Sequence, residues 1–275
     1  MSDGFFVVYL QSKLYHTNKM KRFFFMIAAL MLAMTAWTDT LCEYSFEGTL
    51  GDNIPVKLKF AVNGDEIAVG EILYPKAKNP APILVVGGML SEYSFYLREY
   101  QSDGTITGDM TFRVETFADG TFIREGTWTN PKTGKELEMF LQENEESVPV
   151  SEYFDYEDPQ SIGREYAYSV WNPNCQSMMG GHVKFRGAGL HKLHFEVSNV
   201  PQNMAQGSSD PDRPAVLGEY TYNWFEYENV NECGYGFSAH FFKKFVVLKT
   251  TTDYDTLGCF GSGVAFDGVY IKIRQ

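Results

Sequence analysis

Basic charge is scarce in this sequence. Its 275 residues hold 23 lysines and arginines against 35 aspartates and glutamates, a formal net charge of -12. Nucleic acids and anionic lipid surfaces are bound through matching basic charge, so neither is an expected partner. Metal-binding patterns are missing as well: there is no His-Glu-x-x-His and no Cys-x-x-Cys, which removes the usual zinc signals. Gly261-Ser262-Gly263 lacks the spacing of a nucleophile elbow and reads as a bulge or turn. Asp210-Pro211-Asp212 is a poor start for calcium, which takes six to eight oxygens. No cofactor is expected. Long apolar runs are absent too. Phe23 to Ala36, fourteen uncharged residues, falls short of the roughly 20 a helix needs to cross a bilayer.

That run has the length of a secretory h-region, and Lys21 and Arg22 stand immediately before it. Small residues close it ahead of Asp39, so residues 20–36 read as a signal peptide, with Met20 as initiator and cleavage after Ala36. Met34 occupies a position where a small residue is preferred, which leaves the cut open by a few residues. Residues 1–19 then form an upstream extension of no use to export. Cys42 lacks the small residues that precede a lipidated cysteine, so a lipid anchor there is not expected. Removing residues 1–36 discards four basic residues (Lys13, Lys19, Lys21, Arg22) and one acidic residue (Asp3), deepening the charge from -12 to -15. The expected location is secreted or periplasmic, with no transmembrane helix in the mature chain. An oxidising compartment suits the four cysteines, Cys42, Cys175, Cys233 and Cys259, to disulfide formation.

The rest reads as strand. Val56-Lys57-Leu58-Lys59-Phe60, Thr111-Phe112-Arg113-Val114-Glu115 and His191-Lys192-Leu193-His194-Phe195-Glu196-Val197 alternate with the period of half-buried strands. Turn signals separate such runs at Asn63-Gly64-Asp65, Ser102-Asp103-Gly104, Ala118-Asp119-Gly120 and Asn130-Pro131-Lys132-Thr133-Gly134. Strands at roughly ten-residue spacing form a meander, whose edges are best hidden by closing into a barrel or folding into a sandwich. The expected fold is therefore all-β: two consecutive antiparallel meander modules, small barrels or sandwiches of lipocalin-like style. They would occupy residues 43–142 and 163–275, joined by an acidic linker at 143–162. Each half opens on an aromatic strand (Tyr44-Ser45-Phe46; Tyr166-Ala167-Tyr168) and closes on a glycine–x–aromatic step (Gly126-Thr127-Trp128; Gly268-Val269-Tyr270). A duplicated module fits this, and so do two unrelated β domains. Gln206 to Pro214 reads as a long loop.

Glu43 to Leu141, with Phe46-Glu47-Gly48-Thr49-Leu50-Gly51, Ile54-Pro55-Val56-Lys57-Leu58 and Gly126-Thr127-Trp128-Thr129-Asn130-Pro131, resembles a secreted β-meander module of uncharacterised exported Bacteroidetes proteins. Gly258-Cys259-Phe260-Gly261-Ser262-Gly263-Val264-Ala265-Phe266-Asp267-Gly268-Val269-Tyr270 resembles the close of the second module in such proteins. The resemblance implies a cross-strand Cys233–Cys259 disulfide, but it brings no assigned activity. Cys42 and Cys175 are left either to join each other across the modules or to stay apart.

Histidines offer little metal chemistry: His191 and His194, three apart in one apparent strand, should face opposite sides. The densest unexplained feature is aromatic. Tyr220, Tyr222 and Trp224 would share one strand face, and Phe225 and Tyr227 the other. Burial on both faces accounts for this, as does a platform of Tyr220, Tyr222 and Trp224 for a sugar or peptide. The leading expectation is a non-catalytic binding protein with a glycan, peptide or extracytoplasmic protein as partner. Alternatives are a proteinaceous inhibitor of an extracytoplasmic hydrolase such as lysozyme, suggested by the acidic surface, and a glycan hydrolase using a carboxylate pair that only spatial separation could reveal.

Overall fold

A computed structural model of the chain describes residues 42–156, 164–173, 176–200, 206–209, 212–218, 223–228, 236–251 and 267–274. The proposed signal peptide and upstream extension, Cys175, Cys233, Cys259, Tyr220 and Tyr222 lie outside the described residues.

The first eight strands are β1 (Cys42–Leu50), β2 (Ile54–Val62), β3 (Ile67–Leu73), β4 (Ile83–Ser91), β5 (Ser94–Tyr100), β6 (Ile106–Phe117), β7 (Gly120–Thr129) and β8 (Glu136–Glu143). They pair in chain order, and β1 closes on β8 in antiparallel register from Phe46 opposite Glu143 to Leu50 opposite Met139, forming a closed barrel. Alternation decides which side chains fill it: Val56, Leu58, Phe60 and Val62 of β2 enter the core, while Lys57 and Lys59 face out. An eight-stranded barrel is just wide enough to be filled by side chains. Here Phe60 takes the centre, its ring 4.8 Å from Tyr44, 5.2 Å from Phe95 and 5.7 Å from Phe112.

The turns follow local chemistry. Asn63 Oδ1 accepts the backbone N–H groups of Asp65 (3.1 Å) and Ile67 (2.9 Å), reversing the chain between β2 and β3. Asn130 Oδ1 does the same for Lys132 and Thr133, both at 3.0 Å. At Gly104 φ is +83°, and any Cβ there would overlap the Ala167 carbonyl of the second module. Only glycine fits that turn and that approach together.

The second sheet contains β9 (Arg164–Asn172), β10 (Ser177–Gly189), β11 (Lys192–Val200), β12 (Gln206–Ser208), β13 (Ala215–Val216), β14 (Trp224–Glu228), β15 (Gly236–Phe241), β16 (Phe245–Thr250) and β17 (Gly268–Arg274). Its order is β12-β11-β10-β9-β17-β16-β15-β14, with β13 also paired to β11. The segment after β13 bridges the gap between β11 and β14: Leu217 N–H donates to His191 O and Gly218 N–H to Trp224 O, each at 2.9 Å. The sheet is thereby nearly closed. Its interior is again aromatic, with Phe195 4.9 Å from Phe237 and Phe185 4.8 Å from Phe241.

A third apolar cluster lies between the two modules. Ala61, Ile67, Val69, Val86, Tyr100 and Ile106 on the outside of the first barrel meet Phe242, Phe245, Val247, Val269 and Ile271 of the second. The stretch read from sequence as an acidic linker takes part in this packing. One helical turn, Val150–Tyr153, buries Tyr153, and Val148, Val150 and Phe154 pack beside it. Tyr156 stacks on Phe242 at 5.6 Å, and Lys243 Nζ donates to Asp155 at 2.9 Å.

Other readings change. Gln206 to Pro214 was expected to be a plain loop, but β12 lies within it and pairs with β11. Gly126-Thr127-Trp128 lies in β7, the penultimate strand of its barrel, whereas Gly268-Val269-Tyr270 lies in the last strand, so the two steps are not equivalent. His191 sits in the turn before β11 with φ +55°, not in the strand, and the face argument for His191 and His194 therefore lapses. Cys42 is exposed and free, which removes the Cys42–Cys175 bridge. Among the described residues no helix is long and apolar enough to cross a membrane.

Candidate functional site

The aromatic strand resolves into two populations. Strand β14 pairs with β15, placing Trp224 opposite His240 and Phe225 opposite Ala239. Phe225 and Tyr227 point into the second core. Trp224 points outward and remains 40 % exposed. The ring is nevertheless held: it stacks on His240 with centroids 6.3 Å apart and planes 22° apart. Gly218 packs against its pyrrole ring, where a Cβ would overlap Nε1. His240 Nδ1 lies 4.0 Å from Asp65 Oδ2, in the β2–β3 turn of the first barrel. Burial pushes the His240 pKa down, Asp65 opposes that, and Lys249 adds to it. Lys249 Nζ also reaches the Asp65 carbonyl at 3.3 Å. The result is a flat, partly exposed indole at the seam between the two modules. Such a surface can stack on a sugar ring or a peptide side chain.

A second polar site lies on the outer face of β10 and β11. His182, Lys184 and Arg186 occupy alternate positions on β10, with Arg186 opposite His194 and Lys184 opposite Glu196 on β11. Lys184, Arg186, His194, Glu196, Ser208 and Ser209 line a cleft of about 340 Å³. Ser209 is buried; its Oγ accepts the Phe195 N–H at 3.2 Å and contacts His194 Nδ1 at 2.9 Å.

A third polar group is internal. Glu99 of β5 is only 2 % exposed and points into the first barrel after Phe95 and Leu97. Its carboxylate accepts hydrogen bonds from Tyr74 Oη, Trp128 Nε1 (2.7 Å) and Thr107 Oγ1 (3.2 Å). Burial drives the Glu99 pKa up, and these three donors oppose the rise. Gly108, opposite Glu99 on β6, leaves room for the pair, because a Cβ there would lie 2.7 Å from Glu99 Cδ and overlap the indole nitrogen.

Of the predicted platform, Trp224 is placed outward as its strand parity requires, while Tyr220 and Tyr222 fall outside the described residues. Among the described residues no group of three histidine, cysteine, aspartate or glutamate side chains is placed to hold a metal ion. The cleft at His194 and Ser209 was not foreseen, since those residues meet only through the pairing of β11 with β12. Glu99 did carry a signal: a glutamate at the inward parity of a strand containing Phe95 and Leu97. Comparisons with family models, curated proteins and solved structures return no match.

Proposed function

We propose that this chain is an exported, non-catalytic binding protein that holds a glycan or peptide ligand on its outer surface, at the Trp224–His240 stack. The observation that carries this reading is a flat indole, 40 % exposed, held in place by the His240 ring and by the close approach of Gly218. Among the described residues, aromatic rings pack against one another in both interiors, which favours recognition on the outer surface. Export rests on residues 20–36, delivering a secreted or periplasmic chain in which a Cys233–Cys259 disulfide staples the second module.

Export is tested by expressing the whole sequence in a bacterial host, fractionating the cells and weighing the protein. A product beginning near residue 37 in the extracytoplasmic fraction is expected; an uncleaved chain confined to the cytoplasm overturns the export reading. Binding is tested on glycan and peptide arrays with the wild-type chain and Trp224→Ala. Capture lost in the variant supports the site, and capture unchanged by it overturns the site.

A further inference from the structure

We propose that the cleft on β10 and β11 is a binding site for an oxyanion, a phosphate, sulfate or carboxylate group carried by a small ligand. The charge distribution around the cleft is the first reason. In a chain of net charge -12, the outer face of β10 presents His182, Lys184 and Arg186 in successive outward positions, and His194 adjoins Arg186 from β11. Lys184, Arg186 and His194 line one concavity of about 340 Å³, together with the hydroxyl-bearing Ser208 and Ser209. A guanidinium and an ammonium beside a concave floor of donors form a natural oxyanion receptor.

The second reason is that part of the lining is fixed beforehand. Ser209 Oγ accepts the backbone N–H of Phe195 at 3.2 Å and is hydrogen-bonded to His194 Nδ1 at 2.9 Å. That bond anchors the His194 ring at the β12 end of the cleft. Ser209 is itself only 7 % exposed and is bonded to the Phe195 backbone in both directions, its N–H donating to Phe195 O at 3.1 Å. The wall opposite the cations is therefore rigid.

Two carboxylates compete for the cations. Glu165 lies 3.3 Å from Lys184, and Glu196 lies 3.7 Å from Arg186 across a more exposed pair. Exposed pairs of this kind are weak and exchange readily. An incoming oxyanion replaces Glu196 at the guanidinium and gains bidentate geometry that the present 3.7 Å approach lacks. This site is distinct from the Trp224 surface, and either can fail without the other.

The test is calorimetric titration of the purified chain at low salt with inorganic phosphate, inorganic sulfate and glucuronate, with glucose as the neutral control. Saturable binding of at least one anion and none of glucose is expected, and the anion preferred distinguishes phosphate or sulfate ligands from carboxylate sugars. Arg186→Ala and Lys184→Met should each weaken it roughly tenfold, the loss of one charge-assisted contact. Glu196→Gln should tighten it by about twofold to threefold, because it removes the competitor at an exposed pair. No saturable binding of any anion, equal heat with glucose, or affinity indifferent to both cation variants overturns the proposal. Circular dichroism of each variant checks that the fold is retained.

Discussion

Trp128 Nε1 donates to Glu99 Oε1 at 2.7 Å inside the first barrel, joining β7 to β5 over Gly108 of the intervening β6. The pair sits among apolar side chains, with Tyr74 and Thr107 supplying the remaining donors to the carboxylate. A buried acid of this kind is held by its partners and is costly to remove alone. Glu99→Leu leaves the Tyr74 hydroxyl and the indole N–H without acceptors, and should lower stability by about 3 kcal/mol in urea unfolding. Glu99→Gln keeps an acceptor and should cost clearly less.

The same residue predicts a pH dependence. Burial raises its pKa above 4.5 in the folded chain, so the folded state binds the proton more tightly than the unfolded state. The stability this contributes is complete below the unfolded value and is lost as pH rises through the folded one. Glu99→Gln has no such slope. The advantage of wild type over Glu99→Gln should therefore shrink in thermal unfolding as pH rises from the unfolded carboxyl's range through the raised, folded one. A constant difference across that range would contradict the assignment.

His240 acts in the opposite sense. Burial lowers its pKa below 6.5, so the folded chain favours the neutral ring. Its contribution is present above the unfolded value and lost as pH falls through the folded one. Trp224 fluorescence should also change on that acid limb, because the ring stacked on the indole gains charge there, and His240→Gln should abolish the change.

Gly108→Ala should separate Trp128 from Glu99, since the added methyl overlaps the space both occupy. A loss of about 2 kcal/mol is expected, in the range for overpacking. A neutral result would mean that the pair can shift without breaking.

Phe245 is 1 % exposed and stacks on Phe242 at 4.6 Å in the layer between the modules. Phe245→Ala should cost about 3–5 kcal/mol. Because this layer joins outer faces of both modules, the wild-type chain should unfold in one calorimetric transition, and the variant should begin to separate it into two.

Much of this fold was legible because its rules are local. Asn63 and Asn130 make their turns with their own side chains, and β2 and β6 announce inward positions by alternation. The layer between the modules left a trace as well. Ile67-Ala68-Val69-Gly70 of β3 is buried on both faces, and its sequence has no polar alternation. What escaped sequence reasoning depends on distant pairing. Strands β12 and β13 are too short to show a period and exist through their bonds to β11. The acidic linker concealed its role because the apolar residues that pack, Val148, Val150, Tyr153 and Phe154, form a short run flanked by Glu145-Glu146 and Asp155. At the candidate site, parity correctly separated Trp224 from Phe225. It could not reveal that His240 of β15 would stack on the indole.

The most direct measurement is equilibrium binding of the ligand selected on the glycan and peptide arrays, compared between wild type and Trp224→Ala. With 40 % of its surface exposed, Trp224 should tolerate replacement without loss of the fold. A drop in affinity of roughly tenfold or more, with an unchanged unfolding midpoint, is the predicted result. Equal affinity in the two proteins would contradict a recognition surface at Trp224.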